Sequence, residues 1–388
     1  MIGIQNIGDR DFKRVSLQLL LLLSVVANFT YAQNDQSISL NIADAAPALR
    51  VGAWIKGAPV KGFEKGQVYV LEFWATWCKP CIAGMPHLSS LAREYNDKVT
   101  ILAIDIYEWQ IKSPKSISKV KAFVDSMGNQ MDFYVAAEDS AFTVADWIDA
   151  TGEKNKGIPR TFVVDAEGKL AWIGYPKDLD EVLPKILNKT WNIDQALANR
   201  NLNRYLAQLD DSLRFELMRY DRDSFKPGSY DKPDSTLLLI DEIVSKEPKL
   251  KYAPWVASKT FSCLLQTNPN KAYEYGRLAI VTRTYDDPPY DFIIDDINLY
   301  SHKLSLPAKI YELGAEAYQA QIDHYPYPEL VDLSKPYYKM AEWYWRANNK
   351  SKAIEAQQNA IEALKNKKGF SEADMATFKS RLQQYKNR

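Results

Sequence analysis

Cysteine is scarce in this chain, with three residues in 388, so disulfide cross-links are not what stabilises it. An excess of either charge is also missing, because 49 basic residues balance 49 acidic ones. This balance removes the bulk electrostatic attraction that a nucleic-acid binder needs, and we therefore expect protein partners and no nucleic acid. The chain lacks low-complexity tracts and is too long for one typical core, which predicts two domains.

A leader sequence is predicted at the N-terminus. Three basic residues precede an apolar run over 15–27, and small residues stand at the usual cleavage spacing before Gln33. This pattern predicts a secretory signal peptide over 1–32 and a linker over 33–47. An uncleaved single-pass anchor is the alternative, but the run is shorter than the roughly 20 residues that span a bilayer.

The leader also predicts the compartment. No cysteine precedes Cys78, which excludes a lipid-anchored cysteine at the new N-terminus. The mature chain is therefore expected to be exported, with the bacterial periplasm as the expected location, where disulfides can persist.

Cys78 and Cys81 stand three positions apart in the stretch FWATWCKPC. A C-x-x-C pair alone is compatible with a structural disulfide, half of a metal site or a redox pair. A zinc site needs four ligands, and the three histidines supply no second paired motif, so we predict no metal and no cofactor. Cys263 lies in an apolar run that is typical of a buried, inert thiol, and His87 is expected to be solvated.

The residues around the pair favour redox chemistry. The run 68–74 predicts a buried strand, and apolar spacing over 82–95 predicts a helix, which places Cys78 at a helix N-terminus. The helix dipole and unpaired N–H groups stabilise a thiolate there. Lys79 adds a positive charge, and Pro80 suits the first helical turn.

The chain then alternates strands and helices up to about residue 190. The expected strands are 99–105, 133–136, 157–165 and 170–174, and the expected helices are 117–127, 142–149 and 179–187. Strands joined by helices and followed by a terminal hairpin predict a mixed sheet in an α/β layer.

These motifs together carry a resemblance to a known family. FWATWCKPC, Pro86 and the later Gly157-Ile158-Pro159 resemble the thioredoxin fold, and most closely the secreted TlpA-like thiol-disulfide oxidoreductases. The resemblance covers about residues 48–190, including the insertion between Asp105 and Phe133. The segment 51–57 departs from it, since it has few apolar strand residues.

The resemblance implies a role for each residue of the motifs. Cys78 would be the attacking thiol, Cys81 the resolving thiol, Pro159 a cis proline beside them and Glu72 the buried acid below. A solvated Glu72 and a trans Pro159 are the alternatives. The residues expected to contact the substrate are Trp77, Lys79, Pro80 and Ile158. A peroxidase of the related peroxiredoxin class fits less well, because its proline- and threonine-containing loop is missing before Cys78.

Residues 191–388 differ in character and predict an all-helical domain. Proline-containing breaks occur at 226–228, 287–289 and 325–328. The segment 337–365 matches the tetratricopeptide pattern of two antiparallel helices, and a weaker match contains Ala272 and Ala279. A hairpin of this kind is as compatible with partner binding as with a purely structural role.

Two hypotheses about function follow. In the first, the chain is an exported enzyme that reduces or isomerises protein disulfides and receives electrons from a donor protein. In the second, the helical domain makes it a partner-binding scaffold with little turnover. The intact cysteine pair, the acid and the proline favour the enzyme.

Overall fold

The computed structural model describes residues 39–108, 114–138, 142–153, 157–221, 232–282, 290–324, 331–367 and 369–387. The chain contains two compact units, and the boundary between them lies between Leu197 and Ala198. The expected signal peptide and most of the linker lie outside the described residues. Over the described ranges, no helix combines the length and apolar character that a membrane span requires.

The first unit contains a mixed sheet of six strands in the order β1-β4-β3-β2-β5-β6. The strands are β1 (Ala53–Lys56), β2 (Val68–Trp74), β3 (Val99–Asp105), β4 (Tyr134–Ala137), β5 (Arg160–Val164) and β6 (Leu170–Gly174). The helices are α1 (Lys79–Glu94), α2 (Pro114–Met127) and α3 (Leu179–Leu187). Strands β2, β3 and β4 run parallel, and the other pairings are antiparallel. This is a thioredoxin-like fold, and the predicted mixed sheet is confirmed.

The central strands form because their sequences suit burial on both faces. Every residue of β2 is buried, and six of the seven residues of β3 are. Continuous β-branched and apolar runs of this kind are typical of strands that are covered on both sides. For this reason the predicted limits of β2 and β3 agree with the observed ones.

Two predicted elements differ from the structure. The strand expected at 157–165 begins at Arg160, since a proline offers no N–H to a sheet ladder. The helix expected over 142–149 is a π-helical turn at Val144–Asp149, a class of structure that apolar spacing does not distinguish. The segment 51–57, which departs from the family pattern, contains β1 with an irregular register on β4.

The two faces of the sheet have different chemistry. Aromatic rings fill one face, where Phe162 lies 5.2 Å from Phe73 and 5.6 Å from Trp147 between ring centroids. Glu72 lies on the opposite face of β2, and its parallel partner in β3 is Ala103. Because side chains alternate along a strand, Asp105 shares the face that carries Glu72.

The second unit is all-helical over its described residues, as predicted. The helices are α4 (Ile193–Asp221, which begins in the first unit), α5 (Pro233–Lys246), α6 (Pro254–Thr267), α7 (Pro269–Val281), α8 (Tyr290–Tyr300), α9 (Ala308–His324), α10 (Ser334–Arg346), α11 (Lys350–Lys365) and α12 (Glu372–Asn387). The predicted proline-containing breaks lie outside the described residues.

Small buried residues occur along α10 and α11, which are consecutive helices of the second unit. Ala341, Ala353 and Ala360 are all fully buried, and only residues 347–349 separate the two helices. A helical hairpin therefore exists at the position where the sequence pattern predicts one. Ala272 and Ala279 are also fully buried, in α7.

Candidate active site

Cys78 is the N-cap residue of α1. Its backbone is extended rather than helical, with φ −80° and ψ 93°, and its N–H donates to Ala75 O at 3.0 Å to close a turn. Its sulfur accepts the N–H of Cys81 at 3.3 Å and is joined to the Cys81 sulfur by a disulfide. The predicted position of Cys78 at a helix N-terminus is confirmed.

The surface around the pair is exposed, but the pair itself is not. Trp77 is 51% exposed, and both Lys79 and Pro80 are exposed. Cys78 is only 3% exposed and Cys81 1%, so the oxidised pair is covered. Burial of Cys78 follows from the cap geometry, which turns its sulfur toward the Cys81 N–H.

The loop before β5 completes the site. The Ile158-Pro159 peptide bond is cis, as predicted, and the alternative of a trans bond is wrong. The carbonyl oxygen of Ile158 lies 3.7 Å from the Cys78 sulfur. The sulfur therefore lies beside a main-chain carbonyl of a half-buried loop.

Glu72 lies in the middle of β2 and is 1% exposed, so the alternative of a solvated acid is wrong. One carboxylate oxygen accepts the Thr161 hydroxyl at 2.5 Å, and the other has no hydrogen-bond partner among the described residues. Burial raises the pKa of Glu72 to about 8, although the Thr161 hydrogen bond and the positive charge of Arg160 oppose the rise. Glu72 can therefore exchange a proton near neutral pH.

A second group of buried polar residues was not predicted. Glu108 accepts the backbone N–H of Thr76 at 3.0 Å and the Thr76 hydroxyl at 2.5 Å, and Lys119 in α2 donates to it at 2.9 Å. Burial alone would raise the pKa of Glu108, but these hydrogen bonds hold it below its usual value. Asp105 is 1% exposed, and burial, with the nearby Glu108 charge, raises its pKa to about 8.

The contact between Glu108 and Thr76 can be predicted from the sequence only after the order of the strands in the sheet is known. Trp74 pairs with Asp105 in parallel register at the ends of β2 and β3. The residues that follow both strands therefore meet at the same edge of the sheet, which brings Glu108 to Thr76. Apolar periodicity gives no information about such a contact.

Arg160 and His87 each contact an acidic side chain in the first unit. Arg160, which follows the cis proline, is 2% exposed, pairs with Glu153 and stacks 4.7 Å from the Tyr175 ring centroid. His87 Nε2 lies 3.0 Å from a carboxylate oxygen of Asp180 in an exposed contact, and the His87 side chain is 21% exposed, so it is partly solvated.

The third cysteine, Cys263, lies outside this group. Cys263 is buried in α6, as expected, and takes no part in a disulfide. Within the described ranges, no group of three or more histidine, cysteine or acidic side chains could hold a metal ion.

Comparisons with known proteins agree with this geometry. The family model described as Redoxin matches residues 27–188. Protein FixW of Rhizobium leguminosarum is 29% identical over 154 residues, which cover 39% of this chain and 69% of FixW. Thiol-disulfide oxidoreductase ResA of Bacillus cereus is 34% identical over 162 residues, which cover 39% of this chain and 81% of ResA.

The fold and the cysteine pair at a helix N-terminus define a thioredoxin-like thiol-disulfide oxidoreductase, and the chain is an enzyme of this class. It belongs to the redoxin and thioredoxin-like superfamily that includes the ResA proteins. The family match ends at residue 188, so the helical unit has no part in it.

Proposed function

We propose that the chain is an exported, TlpA-like oxidoreductase that reduces or isomerises disulfides in other proteins. The observation that carries this proposal is the Cys78–Cys81 disulfide with the Cys78 sulfur at the N-cap of α1. When the pair is reduced, backbone N–H groups and the helix dipole stabilise the Cys78 thiolate.

The reaction is two successive thiol-disulfide exchanges. The Cys78 thiolate attacks one sulfur of a substrate disulfide, which forms a mixed disulfide and releases the other substrate sulfur as a thiolate that takes a proton. Cys81 then loses its proton to the Glu72 carboxylate and attacks the Cys78 sulfur. The second substrate sulfur leaves, and the enzyme holds the disulfide that closes the pair.

Substrate contact is expected where the site is open. Trp77, Lys79 and Pro80 supply the exposed surface, and the main chain at Ile158 lies beside the sulfur. An extended substrate segment can pair with such a main-chain edge in the manner of an added strand. The preferred partners are therefore proteins that carry disulfides.

Net reduction requires a source of electrons. The sequence holds no second cysteine pair that could relay them. We therefore expect a separate donor protein that docks at the surface from Trp77 to Pro80.

Export is supported by the basic, apolar and small-residue pattern over 1–32. The mature protein is expected to begin at Gln33 and to occupy the periplasm. Mass measurement of the protein recovered from an exporting host tests this, since an intact N-terminus would point instead to an uncleaved anchor.

The helical unit supports a second candidate function, which is partner binding. The α10–α11 hairpin has buried alanines at positions that match the tetratricopeptide sequence pattern. If the scaffold role dominates, the thioredoxin-like unit would have little turnover.

A trapping experiment tests the proposed chemistry. The Cys81→Ser variant lacks the resolving thiol, so the mixed disulfide on Cys78 should persist and be released by a reductant. The matched control is Cys78→Ser, which should trap nothing. Equal capture by both variants, or capture by neither while a protein disulfide is supplied, would contradict the proposal.

A further inference from the structure

Two adjacent residues after β3 hold the turn that precedes Cys78. Glu108 binds both the N–H and the hydroxyl of Thr76. The carbonyl oxygen of Tyr107 accepts the indole N–H of Trp77 at 3.4 Å. Tyr107 has a φ of +61°, which is uncommon for a bulky residue. We name Tyr107 and Glu108 together the 107–108 clamp.

We infer that the 107–108 clamp fixes the Cys78 sulfur at the start of α1 and so sets its reactivity, with Glu108 as the positioning residue. The inference deepens the proposed function and rests on it, because it takes Cys78 as the attacking thiol. Glu108 itself does not touch the reacting sulfur; it acts through Thr76.

The geometry of the turn explains why an external clamp matters. Within the turn, the Cys78 N–H bonds to Ala75 O at 3.0 Å. The sulfur must face the Cys81 N–H at 3.3 Å, because that contact and the helix dipole stabilise a thiolate. A turn that shifts outward moves the sulfur away from these groups. Glu108 prevents such a shift by holding Thr76, two residues before Cys78.

The charged groups around Glu108 make it possible to test whether Glu108 acts by positioning the turn or by its negative charge. Lys119 donates to the Glu108 carboxylate from α2, and the negative charges of Glu108 and of Glu138 after β4 both act on Asp105 at the end of β3. Burial favours the neutral form of Asp105. The hydrogen bonds from Thr76 and Lys119 favour the ionised form of Glu108. Lys79, which follows Cys78 in the chain, adds a positive charge in the first turn of α1.

Two explanations for Glu108 therefore predict opposite results. If Glu108 acted only as a nearby negative charge, its removal would make the Cys78 thiolate easier to form. If Glu108 positions the turn, its removal makes the thiolate harder to form. The rate of alkylation of reduced Cys78 by iodoacetamide distinguishes them, because only the thiolate reacts.

The variants are made in the full chain, and labelling of Cys78 is followed by peptide mass across about pH 5 to 9, on both sides of an ordinary thiol pKa. Thr76→Val keeps shape and charge but removes the hydroxyl that donates to Glu108. We expect it to slow alkylation at mildly acidic pH by about threefold to tenfold, the effect of one lost hydrogen bond. Thr76→Ser keeps the hydroxyl and should restore the rate, and Glu108→Gln should also be slower than the wild type.

Lys121→Met is the matched control on α2, since Lys121 forms an exposed pair with Asp125 and does not contact Glu108. It should alkylate like the wild type. An unchanged pH midpoint in Thr76→Val, with only a lower melting temperature, would overturn the inference by making the contact merely structural. Faster alkylation of Glu108→Gln would overturn it by making charge the cause. If Glu108→Gln does not fold, the comparison of Thr76→Val with Thr76→Ser still tests the inference.

Turnover of a protein disulfide is measured on the same samples. If the wild type shows no turnover while the alkylation rates follow the expected order, the proposed function fails and the clamp stands. If the wild type turns over and Thr76→Val alkylates and turns over like it, the inference fails and the proposed function stands.

Discussion

At the scale of single residues, the two positions between the cysteines determine how strongly the thiolate is stabilised. Lys79 is an exposed, flexible point charge, and Pro80 offers no donor to the sulfur. Oxidising power comes from a strongly stabilised reduced form, so we expect a reductant or isomerase. Equilibration with glutathione buffers should give a potential below about −200 mV, whereas a value near about −120 mV would indicate a strong oxidant and contradict the expectation.

Glu72 gives the second residue-scale prediction. Its pKa is 4.5 when the side chain is fully solvated and about 8 in the fold, so between these values the unfolded chain is ionised while the folded chain keeps its proton. Stability should therefore fall as pH rises through that window. Glu72→Gln removes this penalty and should raise the free energy of unfolding at pH 8 by about 1–3 kcal/mol.

Denaturant unfolding of Glu72→Gln at several pH values measures the effect, and below about pH 4.5 the variant and wild type should agree. The matched control is Glu181→Gln, which alters an exposed acid of α3. The same Glu72→Gln variant should turn over more slowly, because Cys81 loses its proton acceptor. If the free energy of unfolding depends on pH in the same way in the variant and the wild type, Glu72 does not cause the loss of stability between about pH 4.5 and 8.

At the scale of elements, the contact between α9 and α10 requires a glycine. A Cβ atom on Gly314 would lie 2.1 Å from Cε3 of Trp343, a ring that is 2% exposed. Gly314→Ala gains about 1 kcal/mol of helix propensity, but overpacking of the rigid ring costs about 1–3 kcal/mol or more. We expect net destabilisation, measured as a lower melting temperature of the full chain.

Gly276 in α7 is the control for this substitution. A Cβ atom there would lie 2.6 Å from Cδ2 of Leu313, the end of a flexible side chain, and 3.1 Å from Cε2 of Phe261, both longer than the contact at Gly314. Gly276→Ala should therefore cost less than Gly314→Ala. The reverse order would show that the Trp343 ring moves more easily than its burial suggests.

The limits of the strands and helices show which parts of the fold can be predicted from the sequence. β2, β3, β6 and α3 have the limits that their apolar patterns predict, because burial on defined faces produces those patterns. The roles of the cysteine pair and of Pro159 are predicted from the resemblance to a known family that the local motifs carry. The contact from Glu108 to Thr76 depends on which strand ends adjoin in the sheet, and that is not encoded in either segment alone.

At the scale of the whole molecule, the division at Leu197 predicts that the thioredoxin-like unit works alone. The Trp191 indole donates to Ala171 O in β6 at 3.0 Å, so a fragment should retain residues beyond 190. We expect a fragment of 33–197 to turn over a small protein disulfide within about threefold of the full chain, since every residue of the proposed chemistry lies within it. Loss of turnover in a folded fragment would favour the scaffold hypothesis or a direct part for the helical unit.

Cys263 has a practical consequence for work on this molecule. The chain has three cysteines, of which Cys78 and Cys81 form the disulfide and Cys263 does not. Under denaturing conditions the oxidised chain therefore offers one titratable sulfhydryl and the reduced chain three. Cys263 is thus an internal standard, and the ratio of labelled sites within one molecule reports the redox occupancy of a sample without a separate measurement of protein concentration.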